Sequence, residues 1–339
     1  MRSVMVTGPG RAEMVEVPDP EVGPTDLLVR VKACGICGSD AFYVHRGGIP
    51  PREGATPLGH EAAGVVLAAG DQVRGLAPGD HVVINPMGDS RGIIGNGGPV
   101  GALSDALLIH DAELGRSVAL IPDDLPFDVA ALNEPMAVAY HAVNRTNPQA
   151  GAKVVVFGAG PIGLGATIGY RSRGVGHLVV VDVVPSRLEK ALAVGADAVI
   201  NSAEEDVVAR LRELHGEARD GVGTPGKAGT DVYLDAAGVP AVLTTALACA
   251  KYHATIGVVA VHKQPVPVDF GAILAAEPTI VTSMGYPTEI FEVTTSIVEH
   301  RDQYARIISD RFDFADAVRA LELASTPGAA EKVVVTFDD

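Results

Sequence analysis

Apolar residues along this chain come in short runs, and the runs change character near position 150. Across the first 110 residues, segments such as LLVRVKA at 27–33, AAGVVLAA at 62–69 and DHVVINP at 80–86 alternate with Gly, Pro and Asp turns. That alternation predicts short strands joined by tight turns, the pattern of a small, closed and mainly antiparallel sheet domain. A helical pattern follows from about Phe127 through AALNEPMAVAYHAVNR, and NPQAGAK then marks a turn, which places the end of the first domain at residue 149.

From Lys153 onward buried strand alternates with helix, as KVVVFGAG, PIGLGATIGYRSRG, HLVVVD, PSRLEKALAVG and ADAVIN. Strands that are apolar on both faces are expected where helices cover both sides of a parallel sheet. The unit repeats through EEDVVARLRELHG, DVYLDAAG, VPAVLTTALACA and HATIGVVAV, with EARDGVGTPGKAG as a surface loop. The reading is a doubly wound α/β domain over 150–283. Residues 284–339 hold two short helical patterns, EIFEVTTSIVEHRDQYARII and FADAVRALELA, and a last strand, KVVVTF. This tail is too small to fold alone and is expected to complete the first domain.

Composition adds limits more than chemistry. At 339 residues the chain has room for two domains and needs no disulfide framework, and 47% hydrophobic content outweighs the 39 glycines and 23 prolines in favour of a packed protein. A formal charge of −16 repels nucleic acid and anionic lipid, so neither is expected as a main partner. Cys34, Cys37 and Cys249 are too few for a secreted staple pattern. No secretory leader and no apolar run of roughly 18 residues is seen, so the expected location is the cytoplasm.

Candidate chemistry sits in two places. Gly158, Gly160 and Gly163 form G-A-G-P-I-G directly after a predicted strand, with Pro161 and Ile162 opening the next helix. In that context the glycines allow the tight turn, the approach of a pyrophosphate and close helix–strand packing, and the helix N-terminus faces the negative charge of a dinucleotide. Asp182 ends the following strand, 22 residues beyond Gly160, where a carboxylate accepts hydrogen bonds from the adenosine ribose. It would repel a 2′-phosphate, which favours NAD over NADP; Arg187, in the next helix, is the one nearby base that offsets it. The blander alternative for Asp182 is a strand-end turn or helix cap. In the first domain Cys37, the His60–Glu61 pair and Glu134 are suitable zinc ligands, and three of them would leave a position open for a substrate oxygen. Cys34 and Cys37 also form a C-x-x-C, but without a thioredoxin-like context, and Cys34 reads as a buried small residue.

ACGICGSD at 33–40, PLGHEAAGVV at 57–66, LAPGDHVV at 76–83, NEPMAVAYHAV at 133–143 and VFGAGPIG at 156–163 together carry a resemblance over essentially the whole chain. The sequence resembles the zinc-containing medium-chain dehydrogenase/reductase family, in particular its butanediol and sorbitol-like polyol dehydrogenases. The resemblance implies a GroES-like catalytic domain joined to a Rossmann domain, with NAD and one catalytic zinc per subunit. It implies Cys37 and His60 as zinc ligands, Glu61 and Glu134 as alternates for completing the sphere, Ser39 as the hydroxyl that passes the substrate proton, and Asp40 as the carboxylate orienting His60. The blander reading has Ser39 and Asp40 capping a local turn.

Two departures stand out. The segment NPMGDSRGIIGNGGPVGALSD lacks the four cysteines that hold a structural zinc in many members, so no structural zinc is expected. Phe42 occupies the place of the family's relay histidine, which leaves solvent, the cofactor ribose or His45 to carry the proton. The expected substrate is a small alcohol or ketone, with Glu134 favouring a vicinal diol or polyol such as 2,3-butanediol or a sugar alcohol. Bulkier cyclic secondary alcohols are the alternative substrates. A non-catalytic NAD-binding structural or sensor protein is the alternative outside enzymology. Phe42, Tyr43 and Met284 are candidate pocket residues. A homodimer or homotetramer is expected, with PTIVTSMG at 278–285 as either a sheet edge or an interior strand.

Overall fold

The strand Leu27–Gly35 organises the first unit. Burial alternates along Leu27 to Val31, the mark of one face packed and one exposed, and becomes continuous at Ala33, Cys34 and Gly35. The strand pairs antiparallel with Glu61–Ala69, Ala106–Ile109 and Val333–Thr336. These belong to a seven-stranded sheet that also holds Val118–Leu120, His81–Ile84 and Asp310–Asp313, and a separate three-stranded sheet holds Arg2–Gly8, Arg11–Glu16 and Thr56–Pro57. Sequence reasoning did not anticipate Asp310–Asp313, four residues too short for a legible alternation, which runs parallel to Val333–Thr336. The C-terminal strand thereby brings Lys332 to the end of Leu27–Gly35.

This computed structural model describes residues 1–49, 52–326 and 328–338. It divides into Met1–Glu134 with Ile290–Asp339, and Pro135–Glu289. The first division differs from 149/150 because the helix Asn133–Thr146 goes, from Pro135 on, with the α/β unit, and the chain returns to the first unit at Ile290 and not at 284. Gly165 and Gly169 of the helix Pro161–Ser172 leave the space: an added Cβ at Gly165 would stand 2.6 Å from Met136 Sδ, and one at Gly169 would stand 3.3 Å from the Tyr140 ring.

The second unit is a six-stranded parallel sheet in the order Ala198–Asn201, His177–Asp182, Lys153–Phe157, Val232–Asp235, Thr255–Val258, Thr279–Thr282. Chain order reverses at Lys153–Phe157, and a crevice at such a switch point, outside the carboxyl ends of the strands, is where dinucleotides bind. EARDGVGTPGKAG is not plain loop, since Glu217–Ala218 pairs with Lys227–Ala228. Thr279–Thr282 is an edge strand with Ile280 45% exposed, which decides between the two readings of that segment. Among the described residues no helix is long and apolar enough to cross a membrane.

Candidate metal centre and dinucleotide site

Cys37 is the N-cap of the helix Gly38–Arg46, with Ser39 and Asp40 in the first turn. Asp40 is fully buried, and its Oδ2 accepts the Cys37 N–H at 3.0 Å while its Oδ1 accepts the Gly59 N–H at 3.3 Å. Asp40 Oδ1 also faces His60 Nδ1 at 3.7 Å, longer than a hydrogen bond, so the helix cap and the carboxylate beside the histidine are the same residue. Burial works against ionisation of Asp40, yet His60 and the Cys37 and Gly59 amides hold its carboxyl below the usual range.

Ligand atoms of Cys37, His60 and Glu61 all lie within 4.8 Å of one another. Glu134, buried at the start of its helix, is outside that group of three; its neighbour Asn133 fixes the helix start by donating to Ile290 O and accepting from Thr294 Oγ1 at 2.7 Å. Lys332, which sequence reasoning missed, forms a buried ion pair with Glu61 and donates to Ile36 O at 3.1 Å. Burial disfavours its charge, but Glu61, Cys37 and Glu134 raise its pKa. Its one sequence signal is a lysine abutting the apolar run VVVTF. Gly35 makes this pair fit, because a side chain there would run into Glu61 Oε2 and come within 3.0 Å of Lys332 Nζ.

The donor set suits a divalent cation. His60 is 3% exposed, and although burial opposes protonation, Asp40 and Cys37 raise its pKa well above the ordinary value. A site whose field calls for positive charge on a buried imidazole is suited to a thiolate–imidazole–carboxylate metal, and zinc takes that combination. Cys34 is wholly buried, with its thiol pushed up by burial and by Asp40 and Glu61, so it stands as an unreactive small residue beside the site.

In the second unit Gly158 has φ +97°, and a Cβ on Gly163 would strike Gly158 O, whereas one on Gly160 would meet nothing within 4 Å. Turn, open approach and tight packing are thus distributed as the motif requires, and Pro161 and Ile162 begin the helix Pro161–Ser172. A cavity of about 450 Å³ lies here, lined by Gly158, Gly160, Asp182, Arg187, Ser202 and Thr245 among others. Asp182 lines the cavity and holds the strand-end turn by accepting N–H bonds from Ala159 at 2.7 Å and from Val183 and Val184 at 2.7 and 2.9 Å.

The remaining predicted residues are scattered. Phe42 is 53% exposed and Met284 is 83% exposed, while Tyr43 is half-buried. His45 is exposed and lines a different cavity with Ala12, Val318 and Leu321. Ser39 Oγ and Tyr43 Oη both meet Asn96, a residue sequence reasoning did not single out. The cysteine-free segment around it is tied down by hydrogen bonds, Asp89 accepting from the N–H of Arg91 and His110, and Ser117 Oγ donating to Gly88 O.

Residues 23–116 match the family model of the alcohol dehydrogenase GroES-like domain, and residues 161–299 match that of the zinc-binding dehydrogenase. Sorbitol dehydrogenase of Rattus norvegicus is 30% identical over 99% of this chain and 96% of its own length. The (R,R)-butanediol dehydrogenase of Bacillus subtilis strain 168 is 30% identical over 85% of each chain. Among solved structures, an alcohol dehydrogenase from Thermus sp. ATN1 superposes over 100% of both chains with TM-score 0.84 and 29% identity. Fold, ligand group and relatives together define a zinc-assisted oxidoreductase. The chain belongs to the zinc-containing medium-chain dehydrogenase/reductase family, related to its sorbitol and butanediol dehydrogenases.

Proposed function

We propose that this protein is an NAD-dependent dehydrogenase that oxidises a secondary alcohol, a vicinal diol or polyol, to the ketone, and runs in reverse by the same contacts. NAD, when bound, would supply the acceptor for the hydride of the carbinol carbon, while the hydroxyl gives up its proton. The observation that carries this reading is the Cys37–His60–Glu61 group, gathered within 4.8 Å among buried side chains that favour positive charge.

Cys37 and His60 would hold one catalytic zinc per subunit, with Glu61 or Glu134 completing the sphere. The chemistry zinc supplies when bound is Lewis-acid polarisation of the alcohol or carbonyl oxygen. Asp40 orients the His60 ring from its Nδ1 side. Ser39 takes the hydroxyl proton as it hands its own on to solvent or the cofactor ribose. Gly158, Gly160 and Gly163, with Pro161 and Ile162, cradle the pyrophosphate, Asp182 accepts from the adenosine ribose hydroxyls, and Arg187 flanks that end of the cavity. The exposed edge Thr279–Thr282 supports assembly into a dimer or tetramer, and the composition supports a cytoplasmic location.

The test is steady-state turnover of 2,3-butanediol, sugar alcohols and cyclic alcohols with NAD and with NADP, with zinc counted in the same preparation. Diol or polyol oxidation by NAD at about one zinc per subunit is expected. Full activity in a metal-free preparation would overturn the reading. Cys37→Ala is expected to abolish oxidation and leave NAD affinity, read by fluorescence titration, unchanged.

A further inference from the structure

The first turn of the helix Gly38–Arg46 carries Ser39, and one turn later the same helix carries Tyr43. Residues four apart share a helix face, so their hydroxyls point the same way. Both reach one atom: Asn96 Oδ1 accepts from Ser39 Oγ at 3.2 Å and from Tyr43 Oη at 2.9 Å.

Asn96 comes from the segment that lacks cysteines, and its position is tightly specified. Gly95, Asn96 and Gly97 take φ of +63°, +46° and +88°, three left-handed residues in succession. Asparagine is one of the few side chains that tolerate such a backbone. The turn closes through Gly98 N–H to Gly95 O at 2.8 Å and Gly95 N–H to Val100 O at 2.7 Å, and the fully buried Ile94 anchors it.

A carbonyl oxygen only accepts, and a hydroxyl has a single hydrogen. With both hydrogens held by Asn96 before substrate reacts, the Ser39 and Tyr43 oxygens offer an incoming substrate only lone pairs. We propose that Asn96 is a positioning residue that turns both hydroxyls into hydrogen-bond acceptors, so that the site selects a substrate presenting two hydroxyl donors, a vicinal diol. Ser39 accepts from the reacting hydroxyl and Tyr43 from its neighbour. This rests on the reading of Ser39 given above and deepens it, because it locates the preference for a diol in a residue outside the metal group.

The experiment compares the wild-type holoenzyme with Asn96→Gly, which keeps the left-handed backbone and removes the side chain, and with Asn96→Asp, which keeps an acceptor. Pinacol, a vicinal diol with no hydride to give, and tert-butanol, its single-hydroxyl counterpart, are titrated calorimetrically into the enzyme–NAD complex. The rate arm compares kcat/KM for 2,3-butanediol and 2-butanol. Asn96→Gly is expected to lower the diol-to-monool ratio in both arms about tenfold, the scale of one lost hydrogen bond. Asn96→Asp is expected to restore it, with zinc content and NAD affinity unchanged in each variant. Tyr43→Phe is expected to lower the diol-to-monool ratio in both arms, independently of the turn around Asn96. An unchanged ratio in Asn96→Gly, or a ratio in Asn96→Asp no better than that of the glycine variant, overturns the proposal. Ser39→Ala separates the two readings: full diol turnover in that variant removes Ser39 from proton transfer, whereas the pinacol ratio still reads Asn96.

Discussion

Lys332 and Glu61 show what a single buried pair demands. Both side chains are at most 3% exposed, so each charge is tolerated only because the other is present. Lys332→Met is expected to lower unfolding free energy by about 3 kcal/mol in urea titrations, and adding Glu61→Gln to recover part of that loss, because the residual cost is an unpaired buried carboxylate. No change in the single variant would show the pair to be energetically idle. Asp182 belongs at the same scale. Removing its carboxylate as Asp182→Ala is expected to lower the NAD-to-NADP ratio of kcat/KM by about tenfold; an unaltered ratio would leave it as a turn residue only, held by the Ala159, Val183 and Val184 amides. Cys37, His60 and Glu61 were legible as a candidate ligand group because their chemistry is specific to a few residue types. Lys332 and Asn96 were not, since nothing in a lone lysine or a glycine-flanked asparagine says which distant side chain it will meet.

Helices and strands were legible in proportion to the length of their pattern. The Rossmann elements from Lys153 to Val258 fall where the apolar runs put them, because strands covered on both faces must be apolar throughout. Asp310–Asp313 escaped because its burial alternates over only four residues, and its pairing partner lies more than 20 residues on. The helix Asn133–Thr146 was legible as a helix but not by its allegiance, which rests on the glycine face of Pro161–Ser172. Gly165→Val tests that packing. Its side chain would press on Met136 Sδ and on Ala139 Cβ, 3.0 Å from an added Cβ, at a cost of about 1–3 kcal/mol, far above the few tenths gained in helix propensity. Thermal unfolding at lower temperature is the expected result, and an unshifted transition would mean that the two helices separate freely.

Away from the candidate metal group, two buried groups of the α/β unit couple its stability to pH. His215 is 1% exposed, bonded through Nδ1 to Thr230 and through Nε2 to His177, and burial, then His177 and Lys153, lower its pKa to about 4. The unfolded histidine takes its proton near pH 6.5, so as pH falls from about 6.5 toward 4 the unfolded chain binds a proton that the native state refuses, and stability drops by roughly 2–3 kcal/mol. Glu289 opens a second, lower window. Burial opposes its ionisation, but His141 and Asn144 bring its pKa down to about 2, and this contribution is present above the ordinary carboxylate pKa and lost as pH falls through about 2. Urea unfolding between pH 8 and 5 is expected to show the first slope, and His215→Gln to flatten it. The sequence by itself determined the class of each unit, the glycine turn that opens at Gly158 and the residues of the candidate metal group, because hydrophobic period, glycine geometry and ligand chemistry are local properties. Tertiary structure alone decided that a C-terminal lysine neutralises Glu61, that a cysteine-free turn reaches the Ser39 hydroxyl, and where one unit ends. Those outcomes depend on contacts between residues as many as 271 positions apart, and no local pattern encodes which of them close.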